Sequence, residues 1–109
     1  MAELDSDRPG ELVIDTALDP TGAPILILSG ELDIASAGAL EATVASITAK
    51  NPEQLIFDLS RLRFMDSAGI AVLVDAARKV NGVHLRDPSP IVRRVVELMG
   101  LSSVLPIES

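Results

Sequence analysis

The sequence has no cysteine, tryptophan or tyrosine, and only one histidine and two phenylalanines among its 109 residues. Without cysteine there is no disulfide, no thiolate metal ligand and no cysteine nucleophile. The missing thiols fit a reducing compartment. The lone histidine, His84, leaves too few nitrogen ligands for a zinc site and reads as a structural residue in a strand. No aromatic residue is interleaved with the arginine pairs, Arg61 and Arg63, and Arg93 and Arg94, to stack a base. No apolar run approaches the roughly 20 residues of a membrane span. The N-terminus, Met1 to Asp7, is acidic where a secretion signal is basic and then apolar. Neither a P-loop nor a Gly-x-Gly-x-x-Gly fingerprint occurs, so nothing points to nucleotide chemistry of its own. These absences imply a cytoplasmic protein with no direct nucleic-acid or membrane contact and no cofactor.

What is present is a 48% hydrophobic composition and a formal charge of -7, from 16 acidic against 9 basic residues. The length fits one domain with one core, and the acidic balance repels phosphate backbones. Leu, Ile, Val and Ala must build that core around Phe57 and Phe64.

Residues 1–10 are polar, contain Pro9-Gly10, and read as a short disordered lead; a single domain is expected over 11–109. Leu12 to Ala17 reads as a strand, and Asp19-Pro20-Thr21-Gly22 has the residues of a tight turn. Pro24 to Ser29 then returns as the second strand of a hairpin, ended by Gly30. Its run Ile25-Leu26-Ile27-Leu28 is continuously apolar, as in a strand covered on both faces. Ser36 is placed to cap a helix to about Ala49, with Ala37, Leu40, Val44 and Ile47 on one face. Leu55-Ile56-Phe57 is a short strand ending at Asp58, and Leu59 to Phe64 reads as an irregular connection. From Ala68 the pattern is helical, with Ile70, Leu73, Val74 and Ala77 together, stopped by Asn81-Gly82. Val83 to Arg86 is a last strand. Ser89-Pro90 starts a third helix that directs Ile91 or Val92, Val95, Leu98 and Met99 inward and ends at Gly100. The tail from Leu101 to Ile107 has apolar residues enough to pack back. The expectation is an α/β domain of order ββαβαβα, with a mainly parallel sheet and an N-terminal β-hairpin.

Catalytic chemistry has little to stand on. Asp33, Asp58 and Asp66 could gather at strand ends around a hard cation, but solvated loop acids are the ordinary reading, and no metal is assigned. Ser67, Asp75 and His84 occur in a triad-like order, yet Asp75 falls on a helix and Ser67 lacks the Gly-x-Ser-x-Gly elbow. The chain does not read as an enzyme.

The turn Met65-Asp66-Ser67-Ala68-Gly69 is the strongest local feature. Asp66 or Ser67 can cap the following helix. The small residues Ala68 and Gly69 also leave Ser67 open to another protein's active site. Free N–H groups at the helix start could tolerate a phosphate there, which would add about -1.5 to -2 charges beside Asp66.

The run Asp58-Leu59-Ser60-Arg61-Leu62-Arg63-Phe64-Met65-Asp66-Ser67-Ala68-Gly69 resembles the signature of bacterial anti-sigma factor antagonists of the STAS family. Gly30-Glu31-Leu32-Asp33 resembles the family's second-strand ending, and Pro88-Ser89-Pro90 through Leu98-Met99-Gly100-Leu101 resembles its last helix. The resemblance implies a partner-switching regulator of the STAS fold. It would bind an anti-sigma factor that is also a serine kinase and so release a sigma factor. Phosphorylation of Ser67 would break that complex, and a serine phosphatase would restore it. Carried over by position, Ser67 is the phosphoacceptor. Asp66, Ala68 and Gly69 shape the turn, Asp33 lies on the neighbouring loop, and Met65 and Ile70 are apolar partner contacts. The stretch from Ala68 to Val83 is about one helical turn shorter than the family pattern. The alternative with the same fold is an unphosphorylated structural subunit of a membrane transport complex. Either role is compatible with a monomer or a weak homodimer.

Overall fold

A computed structural model describes residues 11–108. The expected lead at 1–10 lies outside the described residues. The elements are β1 (Val13–Leu18), β2 (Pro24–Leu32), α1 (Ala37–Thr48), β3 (Gln54–Met65), α2 (Ser67–Lys79), β4 (Gly82–Arg86), α3 (Pro90–Leu98) and β5 (Ile107–Glu108). The strands form one sheet in the order β1-β2-β3-β4-β5. β1 is antiparallel to β2 and every other pair is parallel. The predicted order therefore holds and gains a short terminal strand. The tail does pack back: the Leu85 and Asp87 amides donate to the Pro106 and Glu108 carbonyls, and Leu105 is fully buried.

The hairpin turn forms as its residues require. Gly22 adopts φ +89°, and its amide donates to the Asp19 carbonyl. The Asp19 carboxylate accepts from the Thr21 amide, the Thr21 hydroxyl and the Ala23 amide at 2.7–2.9 Å. These bonds, led by the Thr21 hydroxyl and then the Ala23 amide, hold the Asp19 carboxyl below its ordinary range.

Alternation along β2 splits its apolar run between the two faces of the sheet. Leu26 and Leu28 enter the main core with Leu55, Phe57 and Leu85 from the neighbouring strands and Leu40, Val44, Leu73, Ala76, Val92 and Val96 from the helices. Ile25 and Ile56 form a smaller cluster with Ala23, against which Ile27 packs.

Four local expectations are corrected. Gly30 does not end β2, which runs on to Leu32, and Asp58 does not end β3. The register steps from Ile27↔Asp58 to Ser29↔Arg61, and from Gly30↔Leu62 to Glu31↔Phe64. Each step places one extra residue on β3, as a β-bulge does. Gly30, at φ +95°, sits beside the second. Two bulges turn the twofold period of a strand into a buried set spaced by three, Leu59, Leu62 and Met65, which reads as irregular chain.

The remaining two corrections concern α1 and α3. Ser36 precedes α1 but makes no side-chain cap; its hydroxyl instead accepts from the Asp33 amide. In α3, Ser89 does cap, accepting from the Val92 amide, with Pro90 at the first helical position. The core side of α3 is Val92 and Val96. Leu98 lies about 200° round the helix from Val96, so it is exposed rather than inward, as is the C-cap Met99.

Candidate functional site

The parallel pairing of β2 with β3 puts Leu32 beside Met65. The loops that follow the two strands are thereby brought together at one end of the sheet. The Asp66 amide donates to the Leu32 carbonyl at 3.1 Å, tying the α2 turn to the end of β2. Asp33 organises its own loop: its carboxylate accepts from the Ala35 amide, the Ser36 amide and the Ser36 hydroxyl at 3.0–3.2 Å. Asp33, Asp66, Ser67 and Ala68 thus lie together in one surface region, with Gly69 buried beneath it.

Within the turn the roles of Asp66 and Ser67 separate. Asp66 is the cap of α2, in extended conformation, and its carboxylate accepts from the Ala68 and Gly69 amides at 2.9 and 3.3 Å. Ser67 is the first helical residue and is exposed. Its hydroxyl is left out of the cap. The Ala68 and Gly69 N–H groups expected to receive a phosphate are already engaged by the Asp66 carboxylate. A phosphate on Ser67 would therefore stand as added charge beside Asp66 and would not serve as the helix's missing acceptor.

Two expected contacts are corrected. Met65 and Ile70 are each 2% exposed and belong to the main core, so Met65 presents no apolar surface to a partner and Ile70 contributes only a sliver to the wall of a neighbouring groove. Gly69 is also buried, and its smallness serves packing more than access. A β-carbon there would fall 2.6 Å from Leu32 Cγ and 2.9 Å from Met65 Cγ.

Apolar surface near the turn comes from residues that sequence reasoning missed. Ile34, beside Asp33, is 81% exposed, and Phe64, expected in the core, is 45% exposed. Phe64 and Met65 are successive strand residues and point to opposite faces. The signal for Ile34 was available: a large apolar residue inside a polar turn. On the other side of Ser67 a groove of about 390 Å³ runs along α2 to the end of α3, between Ile70, Val74 and Asp75 on one wall and Met99 and Leu101 on the other.

A hydrolytic arrangement is not assembled. His84 pairs with Ile56 near the start of β3, whereas Ser67 follows its end. About nine strand residues at ~3.3 Å each separate the two levels, roughly 30 Å. His84 Nδ1 lies 4.0 Å from the Glu108 carboxylate. Asp58 is likewise remote from Asp33 and Asp66 along β3, where it accepts from the Ser60 amide and hydroxyl. Among the described residues no three His, Asp or Glu side chains cluster as metal ligands.

Comparison with known proteins places this geometry. The model of the STAS domain matches residues 16–109, and the chain belongs to that family. It is 33% identical over 99 residues to the anti-sigma-F factor antagonist RsfB of Mycobacterium tuberculosis strain H37Rv, covering 86% of this chain and 80% of that protein. It is 30% identical over 91 residues to the anti-sigma F factor antagonist of Paenibacillus polymyxa, covering 79% and 78%. The crystal structure of an anti-sigma factor antagonist from Mycobacterium paratuberculosis superposes with a TM-score of 0.83 at 29% identity, over 92% of this chain and 87% of that one.

Proposed function

We propose that this chain is a cytoplasmic anti-sigma factor antagonist: it binds an anti-sigma factor with serine kinase activity, releases a sigma factor, and is switched off by phosphorylation at Ser67. The observation that carries the reading is the division of labour in the α2 turn. Asp66 holds the helix start by itself, and Ser67 stands exposed beside it with no structural task in the cap. The names of the relatives supply the partner class. Ile34, Phe64 and the groove beside Ser67 supply apolar surface around a charged centre, the usual anatomy of a regulated interface. A phosphate would place about two negative charges next to the Asp66 carboxylate, and an interface desolvating both would be lost.

Mass spectrometry of the chain isolated from its native cells, together with a Ser67→Ala version, tests the reading. Phosphate on the Ser67 peptide of the wild type, absent from the variant, is expected. Equal phosphorylation of both would place the modification elsewhere and remove the proposed switch. Co-purification of a soluble serine kinase is the expected partner; recovery of a transporter ATPase in its place would assign the chain to a transport complex.

A further inference from the structure

The two edges of the sheet are not alike. β5 has only two residues, a length that offers little to pair with. β1 has six, Val13-Ile14-Asp15-Thr16-Ala17-Leu18, and all but Ile14 are exposed. Its pairing to β2 is continuous from Val13↔Ser29 to Leu18↔Pro24, with no bulge. It contains no proline, no lysine and no arginine. Val13 and Leu18 are 46% and 71% exposed. Sheets ordinarily protect a free edge with such devices, and among the described residues β1 has a single charge, Asp15, in their place.

We infer that β1 is a homodimer interface, pairing antiparallel with β1 of a second copy about a two-fold axis to give one continuous ten-stranded sheet. The occupant follows from the charge pattern of the strand. Directly opposed residues of an antiparallel pair share a face, so the axis must pass through a residue, and each choice is distinct. An axis at Asp15 sets Asp15 against its own copy, and an axis at Ala17 sets Asp15 against Asp19 of the second chain. Like charges directly opposite are destabilising. An axis at Ile14 pairs Leu18 with residue 10, before the start of the strand, and leaves it uncovered. With the axis at Thr16, Asp15 meets Ala17, Val13 meets Asp19, and Ile14 meets Leu18 twice over. An axis at Val13 sets Asp15 against Glu11, and an axis at Leu18 pairs only Leu18 strand to strand. Among registers that pair several strand residues, the one at Thr16 alone separates the acids and covers the most exposed apolar residue of the edge. Beside Leu18, a groove of about 580 Å³ lined by Pro24, Ile47 and Lys50 leaves room for the incoming side chain.

An edge of this length buries less than the roughly 800 Å² per partner of a standard interface, so the dimer forms at high concentration and dissociates on dilution. Ser67 follows β3, two strands in from the edge, and the two-fold axis sends the two copies of Ser67 to opposite ends of the sheet. One dimer therefore carries two separate switch sites, and modification of Ser67 leaves the pairing unchanged.

The absence of cysteine makes a direct test available. In Thr16→Cys the two thiols lie across the axis with Cα atoms about 4.5–5.5 Å apart, inside disulfide range. In Asp15→Cys they are displaced by two residues along the strand, about 8 Å apart and outside it. Under mild oxidation the expected result is covalent dimer from Thr16→Cys at least about ten times faster than from Asp15→Cys. Sedimentation of the wild type should show twice the monomer mass at about 1 mM, and Leu18→Asp, altered at an exposed site, should remain monomeric. A wild type that stays monomeric at that concentration overturns the inference, including the case in which β1 pairs with a peptide of another protein. Equal oxidation of the two cysteine variants overturns the register and with it the argument for a second copy.

Discussion

Gly69 lies against Leu32 so closely that a β-carbon on it would come within 2.6 Å of Leu32 Cγ and 2.8 Å of Leu32 Cδ2. Cγ is the branch point of that side chain and cannot swing away as a terminal atom can. Glycine in a helix is ordinarily a weakness, and Gly→Ala gains up to about 1 kcal/mol. Here the overpacking, about 1–3 kcal/mol, opposes and exceeds that gain. Gly69→Ala is expected to lower the thermal midpoint by several degrees. Gly38, near the start of α1, has nothing within 4 Å of its missing β-carbon, so Gly38→Ala is expected to raise it. Calorimetric unfolding of the two variants checks both signs together.

Asp66 and Ser67 are neighbours with opposite expected effects. Removing the carboxylate in Asp66→Ala strips the acceptor from the Ala68 and Gly69 amides and is expected to cost about 1 kcal/mol of stability. Ser67→Ala removes an exposed hydroxyl that has no part in the cap and should fall within about 0.5 kcal/mol of wild type. Urea unfolding measures both. A large loss in Ser67→Ala would mean that the serine has a structural task.

A negative charge at Ser67 should act on binding and not on folding. If the chain binds an anti-sigma factor as proposed, Ser67→Glu is expected to weaken that complex by at least about tenfold, 1.4 kcal/mol, while Ser67→Gln of similar size stays close to Ser67→Ala. Isothermal titration of the three variants against the purified partner separates charge from bulk. Equal weakening by Glu and Gln would make the effect steric.

Much of this architecture is legible because local chemistry and tertiary packing agree. Leu40 and Val44 show the buried face of α1, Ser89-Pro90 marks the start of α3, and Asp19 through Gly22 specify the hairpin turn. What escapes are places where position depends on a partner strand. The length of β3 is hidden by two bulges that exist only in its pairing with β2, and β5 is too short to carry a period. At the site, Ser67 stands out by its type and its place before a helix. Ile70 is buried on α2 together with Leu73, as its helical spacing indicates, but the exposure of Phe64 and the burial of Met65 follow from which face of β3 each occupies. That face is set by the bulges, so no local pattern reports it.

The hairpin turn supplies a pH dependence with a definite sign. The Asp19 carboxyl is held below its ordinary value of 3.8 by the Thr21 hydroxyl and then by the Ala23 amide. A carboxyl depressed in the folded state contributes stability that is fully present above its unfolded value and is lost as pH falls through its folded one. Wild type should therefore lose stability below about pH 4 more steeply than Asp19→Asn, whose side chain does not titrate there. Thermal midpoints of both proteins from pH 2 to pH 6 test this. Parallel curves would place the acid sensitivity elsewhere in the chain.

Phe64 and Met65 offer the sharpest separation of surface from core, because they are adjacent in one strand. Met65 is 2% exposed and packs in the core beside Leu32 and Leu62, so Met65→Ala deletes buried volume and should cost about 2–5 kcal/mol. Phe64 is 45% exposed and lies on the other side of β3, so Phe64→Ala should cost much less in unfolding. If Phe64 belongs to the partner surface around Ser67, the same variant should weaken the anti-sigma factor complex by about tenfold or more, as exposed aromatic anchors do. Met65→Ala should leave affinity unchanged wherever it remains folded. Paired unfolding and titration measurements on both variants decide the matter. Wild-type affinity in Phe64→Ala would confine the interface to the Ser67 turn and the groove beside it.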